Sequence, residues 1–158
     1  MRPREMVSIN KREGDSLGQE RLANFIKLQT GSVMTKEVLT ISKQMTLRVL
    51  DHLFEVHDFN SFPVVEDGRL IGIVSKFDFL RNFIFTPSSV FPHYDEVMQR
   101  TVEQIMTKEV HTVHPTTPLT RALQMMVEMK NKSFPVVDGK NRVLGIISRG
   151  DIIRALNG

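Results

Sequence analysis

Two short segments end an apolar run with a hydroxyl and, three residues on, a carboxylate. Val143-Leu144-Gly145-Ile146-Ile147 gives way to Ser148-Arg149-Gly150-Asp151, and apolar residues resume with Ile152-Ile153. Leu70 to Val74 gives way in the same manner to Ser75-Lys76-Phe77-Asp78. The plainest chemistry for such a junction is helix capping. A serine at the N-cap satisfies an orphan amide, and an acid three residues later completes a capping box. The sharper reading is that a polar ligand binds there, and the surrounding sequence has to choose between the two.

Other reactive constellations are weak. His111 and His114 are three apart, which on a strand points them to opposite faces. With no cysteine in the chain and no clear carboxylate partner, no metal site is expected. Met125, Met126 and Met129 sit at helical spacing and read as core or interface filler. Asp78 and Asp151 lie in near-identical contexts, so neither is set apart as acid or base. There is no P-loop and no Gly-rich dinucleotide fingerprint. The chain reads as non-catalytic.

The elements that position these junctions are repeated. VMTKEV (33–38) recurs as IMTKEV (105–110), SFPVV (61–65) as SFPVV (133–137), and GIVSKFDFL (72–80) as GIISRGDII (145–153). The extra residue in the second copy falls between the last two blocks, in a turn where it is cheap. Each copy reads as a short extended piece (Val38–Ile41, Val110–Val113), a helix, a strand at Phe62–Val65 or Phe134–Val137, a hairpin at Asp67-Gly68 or Asp138-Gly139, a second strand, and a helix opening near Ser75 or Ser148. In copy two, Thr117 is the expected cap and Pro118 the first helical residue. Pro63 and Pro135 should begin their strands or lie at an edge. The expected fold class is α/β (α+β): two β-α-β-β-α repeats. A copy of about 50 residues buries too little surface alone, so the two are expected to pack with pseudo-twofold symmetry.

The remaining segments are a polar tail (1–15) expected to be disordered, a helix over 16–30 with Leu17, Leu22, Phe25, Ile26 and Leu28 on an apolar face, and a linker (85–101) punctuated by Pro87 and Pro92. The repeats then occupy 31–84 and 102–158. The 158 residues carry a net charge of +3, with 21 basic and 18 acidic residues mostly interspersed. With no basic stripe, direct nucleic-acid binding is not expected. No apolar run approaches a membrane span, and the N-terminus has no signal-peptide core, so cytoplasmic residence is the expectation.

Two copies, each carrying Met-Thr, then Phe-Pro-Val-Val, then Gly-h-h-Ser-x-x-Asp (h, apolar), resemble a tandem pair of cystathionine-β-synthase (CBS) domains, the arrangement called a Bateman module. The resemblance covers about residues 30–157. It implies a regulatory module that binds adenosine-containing ligands (AMP, ADP, ATP or S-adenosylmethionine), forms a homodimer and acts on a separate protein effector. It implies no catalytic cofactor.

The residue types suit that ligand. A carboxylate accepts from both ribose hydroxyls through charge-assisted bonds, the role expected of Asp78 and Asp151. A hydroxyl at a helix N-terminus suits an α-phosphate, the role expected of Ser75 and Ser148. The resemblance implies crevices shared between copies, with Thr35, Val38, Asn60, Ser61 and Pro63 facing Ser148 and Asp151. Thr107, Val110, Lys132, Ser133 and Pro135 would face Ser75 and Asp78. Lys36, Lys76, Lys108, Lys132 and Arg149 lie near enough to neutralise phosphates, which favours a nucleotide over S-adenosylmethionine. Gly150, where copy one has Phe77, makes the two sites unequal in detail. The alternatives are a structural dimerisation module with vestigial sites, and a nucleic-acid-linked regulator using the cationic tail.

Overall fold

A computed structural model describes the backbone of residues 3–84 and 93–158, with side chains from Gly14 onward. The first part of the expected linker, residues 85–92 with Pro87 and Pro92, lies outside the described residues. Along the chain the elements run α1 (Pro3–Phe25), α2 (Thr30–Val33), α3 (Leu47–Val56), β1 (Ser61–Glu66), β2 (Arg69–Ser75) and α4 (Lys76–Leu80), the last followed by a 3-10 turn at Arg81–Phe83. Then come α5 (Tyr94–Gln99), α6 (Val102–Ile105), α7 (Leu119–Met129), β3 (Ser133–Val137), β4 (Val143–Ser148) and α8 (Arg149–Leu156). β1 pairs with β2 and β3 with β4, each as a two-stranded sheet.

The chain forms two compact units, and neither is one continuous repeat. Unit 1 comprises residues 1–36, 112–137 and 144–158; unit 2 comprises 37–111 and 138–143. The Met-Thr arm of each copy thus belongs with the strands and helices of the other. In unit 1, Thr35 pairs antiparallel with Ile146 of β4, amide to carbonyl in both directions at 2.9 Å. In unit 2, Thr107 pairs with Ile73 of β2 at 2.8 and 2.9 Å. The residues just ahead of each arm dock on the loop before the other copy's long helix. Thr30 N donates to Thr117 O and Gly31 N to Pro115 O in unit 1; Val102 N donates to Met45 O and Glu103 N to Lys43 O in unit 2.

This docking explains one glycine in each repeat. A Cβ on Gly145 would lie 2.7 Å from Thr35 O and 2.8 Å from Met34 Sδ. On Gly72 it would lie 2.7 Å from Met106 Sδ and 3.0 Å from Thr107 O. Only a residue without a side chain admits the arm that closely.

The expected extended pieces at Val38–Ile41 and Val110–Val113 contribute one parallel bridge each, Ile41 to Val64 and Val113 to Val136. Pro63 O accepts from Ile41 N, and Pro135 O from Val113 N. The missing proline N–H therefore faces the flank holding only that bridge, as the edge expectation requires. The units have matching cores. Leu47, Leu50, Phe62, Val64 and Val74 are buried in unit 2; Leu119, Phe134, Val136, Ile147 and Ile152 in unit 1.

Several local expectations need correction. Helix α1 starts at Pro3, through residues expected to be a disordered tail. Pro3 suits a first helical position, and Arg, Glu, Met and Lys are good helix formers. In the C-terminal part of α1 and just beyond it, Phe25 is buried, while Leu17, Leu22 and Ile26 are exposed rather than packed on a common face. Pro118 is the N-cap of α7 and not its first residue, and the Thr117 hydroxyl accepts from His114 N instead. In the first hairpin Asp67 and Gly68 both take positive φ, the primed turn expected. In the second, the left-handed residue is Asn141, and Gly139 is not left-handed. Asp138 Oδ1 organises that turn by accepting from the amides of Lys140 and Arg142.

Candidate functional site

Both Ser-x-x-Asp junctions form full capping boxes. Ser75 Oγ accepts from Asp78 N at 3.0 Å, and Asp78 Oδ2 accepts from Ser75 N at 2.9 Å. Ser148 Oγ accepts from Asp151 N at 3.2 Å, and Asp151 Oδ2 accepts from Ser148 N at 2.9 Å. The first amide of each helix is also taken, since Lys76 N donates to Asn60 O and Arg149 N to Lys132 O. The capping reading is therefore correct as far as it goes. Of the first three amides in each helix, the one at Phe77 or Gly150 is left over among the described residues.

Capping does not account for the burial. Asp78 and Asp151 are 4% and 3% exposed, and with Thr30 they are the buried polar residues of the described structure. A buried carboxylate is costly unless paired, and the two clusters pair it differently. In unit 1, Asp151 Oδ1 accepts from the Thr35 hydroxyl at 2.9 Å and from the Arg154 guanidinium, while Oδ2 also accepts from the Ser148 hydroxyl at 3.0 Å. In unit 2, the guanidinium of Arg81 stands 3.6 Å from Asp78 Oδ1, beyond hydrogen-bond reach, and lies over the Phe77 ring at 5.1 Å from its centroid. No bond from the Thr107 hydroxyl to Asp78 occurs among the described residues.

Of the other expected site residues, Lys132, Ser133 and Pro135 share unit 1 with Thr35, Ser148 and Asp151. Val38, Asn60, Ser61, Pro63, Thr107 and Val110 share unit 2 with Ser75 and Asp78. Within unit 1, Thr35 alone of the expected set for Asp151 reaches it directly. Pro63 and Pro135 are buried, Val38, Ser61, Val110 and Ser133 are half-buried, and Asn60, Thr35, Thr107 and Lys132 are exposed. Lys36, Lys108 and Arg149 are exposed and Lys76 half-buried.

Sequence reasoning missed the arginines. Arg81 and Arg154 stand three residues after Asp78 and Asp151, so the repeat extends past Leu80 and Ile153 to Ser-x-x-Asp-x-x-Arg. On a helix that spacing puts the arginine on the face of the aspartate. The signal is in both copies, Asp78-Phe79-Leu80-Arg81 and Asp151-Ile152-Ile153-Arg154.

A family model described as the CBS domain matches residues 31–84 and 102–158. The uncharacterised protein MJ1232 of Methanocaldococcus jannaschii is 29% identical over 144 residues, 91% of this chain but 44% of that protein. The chain thus spans less than half that relative's length. The solved CBS domain pair of protein MJ0100, in complex with 5′-methylthioadenosine and S-adenosylmethionine, superposes with a TM-score of 0.68 at 25% identity, over 82% of this chain and 96% of that one. CBSX2 in complex with AMP, a protein of Arabidopsis thaliana, gives a TM-score of 0.68 at 26% identity over 81% and 95%. With both repeats matched, and with the duplicated Met-Thr, Phe-Pro-Val-Val and Ser-x-x-Asp blocks in register, this chain belongs to the CBS domain family.

Proposed function

We propose that the chain is a non-catalytic regulatory module whose two aspartate clusters bind an adenosine-containing ligand: AMP, ADP, ATP or S-adenosylmethionine. The observation that carries the reading is the pair of buried carboxylates at strand–helix junctions. Each uses Oδ2 for its cap and turns Oδ1 to side chains that can move. Asp78 and Asp151 accept from the ribose hydroxyls, and Ser75 and Ser148 lie toward the phosphate with the left-over amides of Phe77 and Gly150. Val38, Pro63, Val110 and Pro135 supply apolar surface to the base, with Asn60, Ser61 and Ser133 at its rim. Thr35, Thr107 and Lys132 complete the contacts. The adenosine ligands of the MJ0100 pair and the AMP of CBSX2 support the ligand class. Ligand binding shifts the population between arrangements of the module, and a separate protein reads the result.

The test is thermal unfolding with each of the four ligands, on wild type and on Asp78→Asn/Asp151→Asn. Asparagine keeps an acceptor for the cap and loses the charge. At ligand a hundredfold above Kd, wild type should gain about 2.7 kcal/mol and the double variant much less. Equal melting temperatures with and without millimolar ligand refute the reading and favour a dimerisation module with vestigial sites.

A further inference from the structure

The two aspartate clusters are not equivalent: the Thr35 and Ser148 hydroxyls reach Asp151 without counterparts at Asp78 among the described residues, and the arginine three residues on is placed differently in each. An ionised carboxylate has about four acceptor sites. Those of Asp151 receive Ser148 N, Ser148 Oγ, Thr35 Oγ1 and Arg154. Asp78 receives Ser75 N, while Arg81 stands off at 3.6 Å. At Gly150 there is no ring on which the guanidinium could lie instead of on the acid. A Cβ there would lie in ordinary contact with the guanidinium, 3.4 Å from one Arg154 nitrogen and 3.9 Å from the other, so the guanidinium passes beside position 150 on its way to Asp151. Copy one has Phe77 at the equivalent place, and its ring carries Arg81 away from the acid.

We propose that Arg154, with no aromatic ring at position 150 to draw it off, is a specificity-determining residue of the Asp151 cluster. It holds the carboxylate oxygen that a ribose needs, and it yields that oxygen to ligands that bring an anion to replace it. The inference rests on the adenosine reading above. Arg154 is 70% exposed at its side chain, so it can swing out while the buried Asp151 stays in place. Uncharged adenosine must displace the guanidinium and leave it in water. An adenosine phosphate gives it a new charge-assisted partner. Among the described residues the Asp78 cluster has acceptor sites open, and it takes either ligand.

The experiment titrates AMP and adenosine calorimetrically into Asp78→Asn, which isolates the Asp151 cluster, and into Asp151→Asn, which isolates the Asp78 cluster. Adenosine should bind the Asp151→Asn protein about tenfold more tightly than the Asp78→Asn protein, with a smaller AMP preference. Adding Arg154→Ala or Gly150→Phe to Asp78→Asn should raise adenosine affinity about tenfold and narrow that preference. Gly150→Phe copies the residue of the first repeat and removes no charge. Equal adenosine affinities at the two clusters, or no gain from either added substitution, overturn the inference and leave the adenosine reading standing. No binding of either ligand to wild type or any variant overturns both.

Discussion

Replacing Gly145 with alanine places a methyl carbon 2.7 Å from the carbonyl oxygen of Thr35 and 2.8 Å from Met34 Sδ. The sulfur sits on a flexible side chain and can give way. The carbonyl is backbone, held by the amide of Ile146 at 2.9 Å, and retreats only by breaking that pair. Losing both Thr35–Ile146 bonds costs about 2 kcal/mol at about 1 each, and overpacking adds about 1–3 kcal/mol. The sum, about 3–5 kcal/mol, corresponds at roughly 2–4 °C per kcal/mol to a fall in Tm of at least about 6 °C. Gly72→Ala should cost less, because its nearest contact is the Met106 thioether and its backbone contact is 3.0 Å away. Gly139→Ala is the control, with nothing within 4 Å of the new carbon. Calorimetry measures the order, and amide exchange at Thr35 and Ile146 reports whether the arm has left. A Gly145→Ala protein that melts with Gly139→Ala and keeps both amides protected refutes the account of the arm.

Other substitutions probe separate effects. Leu50 is fully buried and Val127 is 70% exposed, so Leu50→Ala should cost about 2–5 kcal/mol in denaturant unfolding and Val127→Ala no more than about 0.5. Ser75→Ala removes the acceptor for Asp78 N and should cost about 1 kcal/mol in the ligand-free protein, and more when an adenosine phosphate is bound; an equal cost in both states means the hydroxyl only caps. Asp138 is held below its usual 3.8 chiefly by the Arg142 amide, then by its guanidinium and the Lys140 amide, against a contribution from burial. A depressed folded value means stability present above 3.8 and lost as pH falls through the lower folded value. Protection of the Lys140 and Arg142 amides, relative to the intrinsic exchange rate at each pH, should therefore fall on acidification, and that pH dependence should be lost in Asp138→Asn.

The features legible in the sequence were those written in short range. The Ser-x-x-Asp caps, the Asp67-Gly68 turn and the proline-bearing strands follow from a few neighbouring residues and a backbone rule. α3 and α7 each bury one stripe, Leu47 and Leu50 in the first and Leu119, Ala122 and Met126 in the second. What escaped depends on distant partners. Nothing local says that Thr35 pairs with Ile146, although the clash at Gly145 makes that glycine necessary. Asn141 took the left-handed place because Asp138 ties down the amides of Lys140 and Arg142, moving the turn off the Asp-Gly pair. The tail read as disordered from its polarity, although its residues favour a helix. The arginines escaped because an exposed arginine on a helix reads as a surface charge until the burial of the aspartate beside it is known.

The exchanged arms also set an order of events during synthesis. Thr35 lies 116 residues before Asp151. At about 5–20 residues per second, Thr35 waits roughly 6–23 s on the ribosome before its hydroxyl acceptor has been made. Over that interval its backbone N–H and C=O have no strand to join, the condition in which an unpaired edge invites a wrong partner. Thr107 meets Ile73 as soon as it emerges, because β2 is already made. The first arm is therefore the point of exposure in the nascent chain, and synonymous changes that slow elongation after residue 111 should lengthen it.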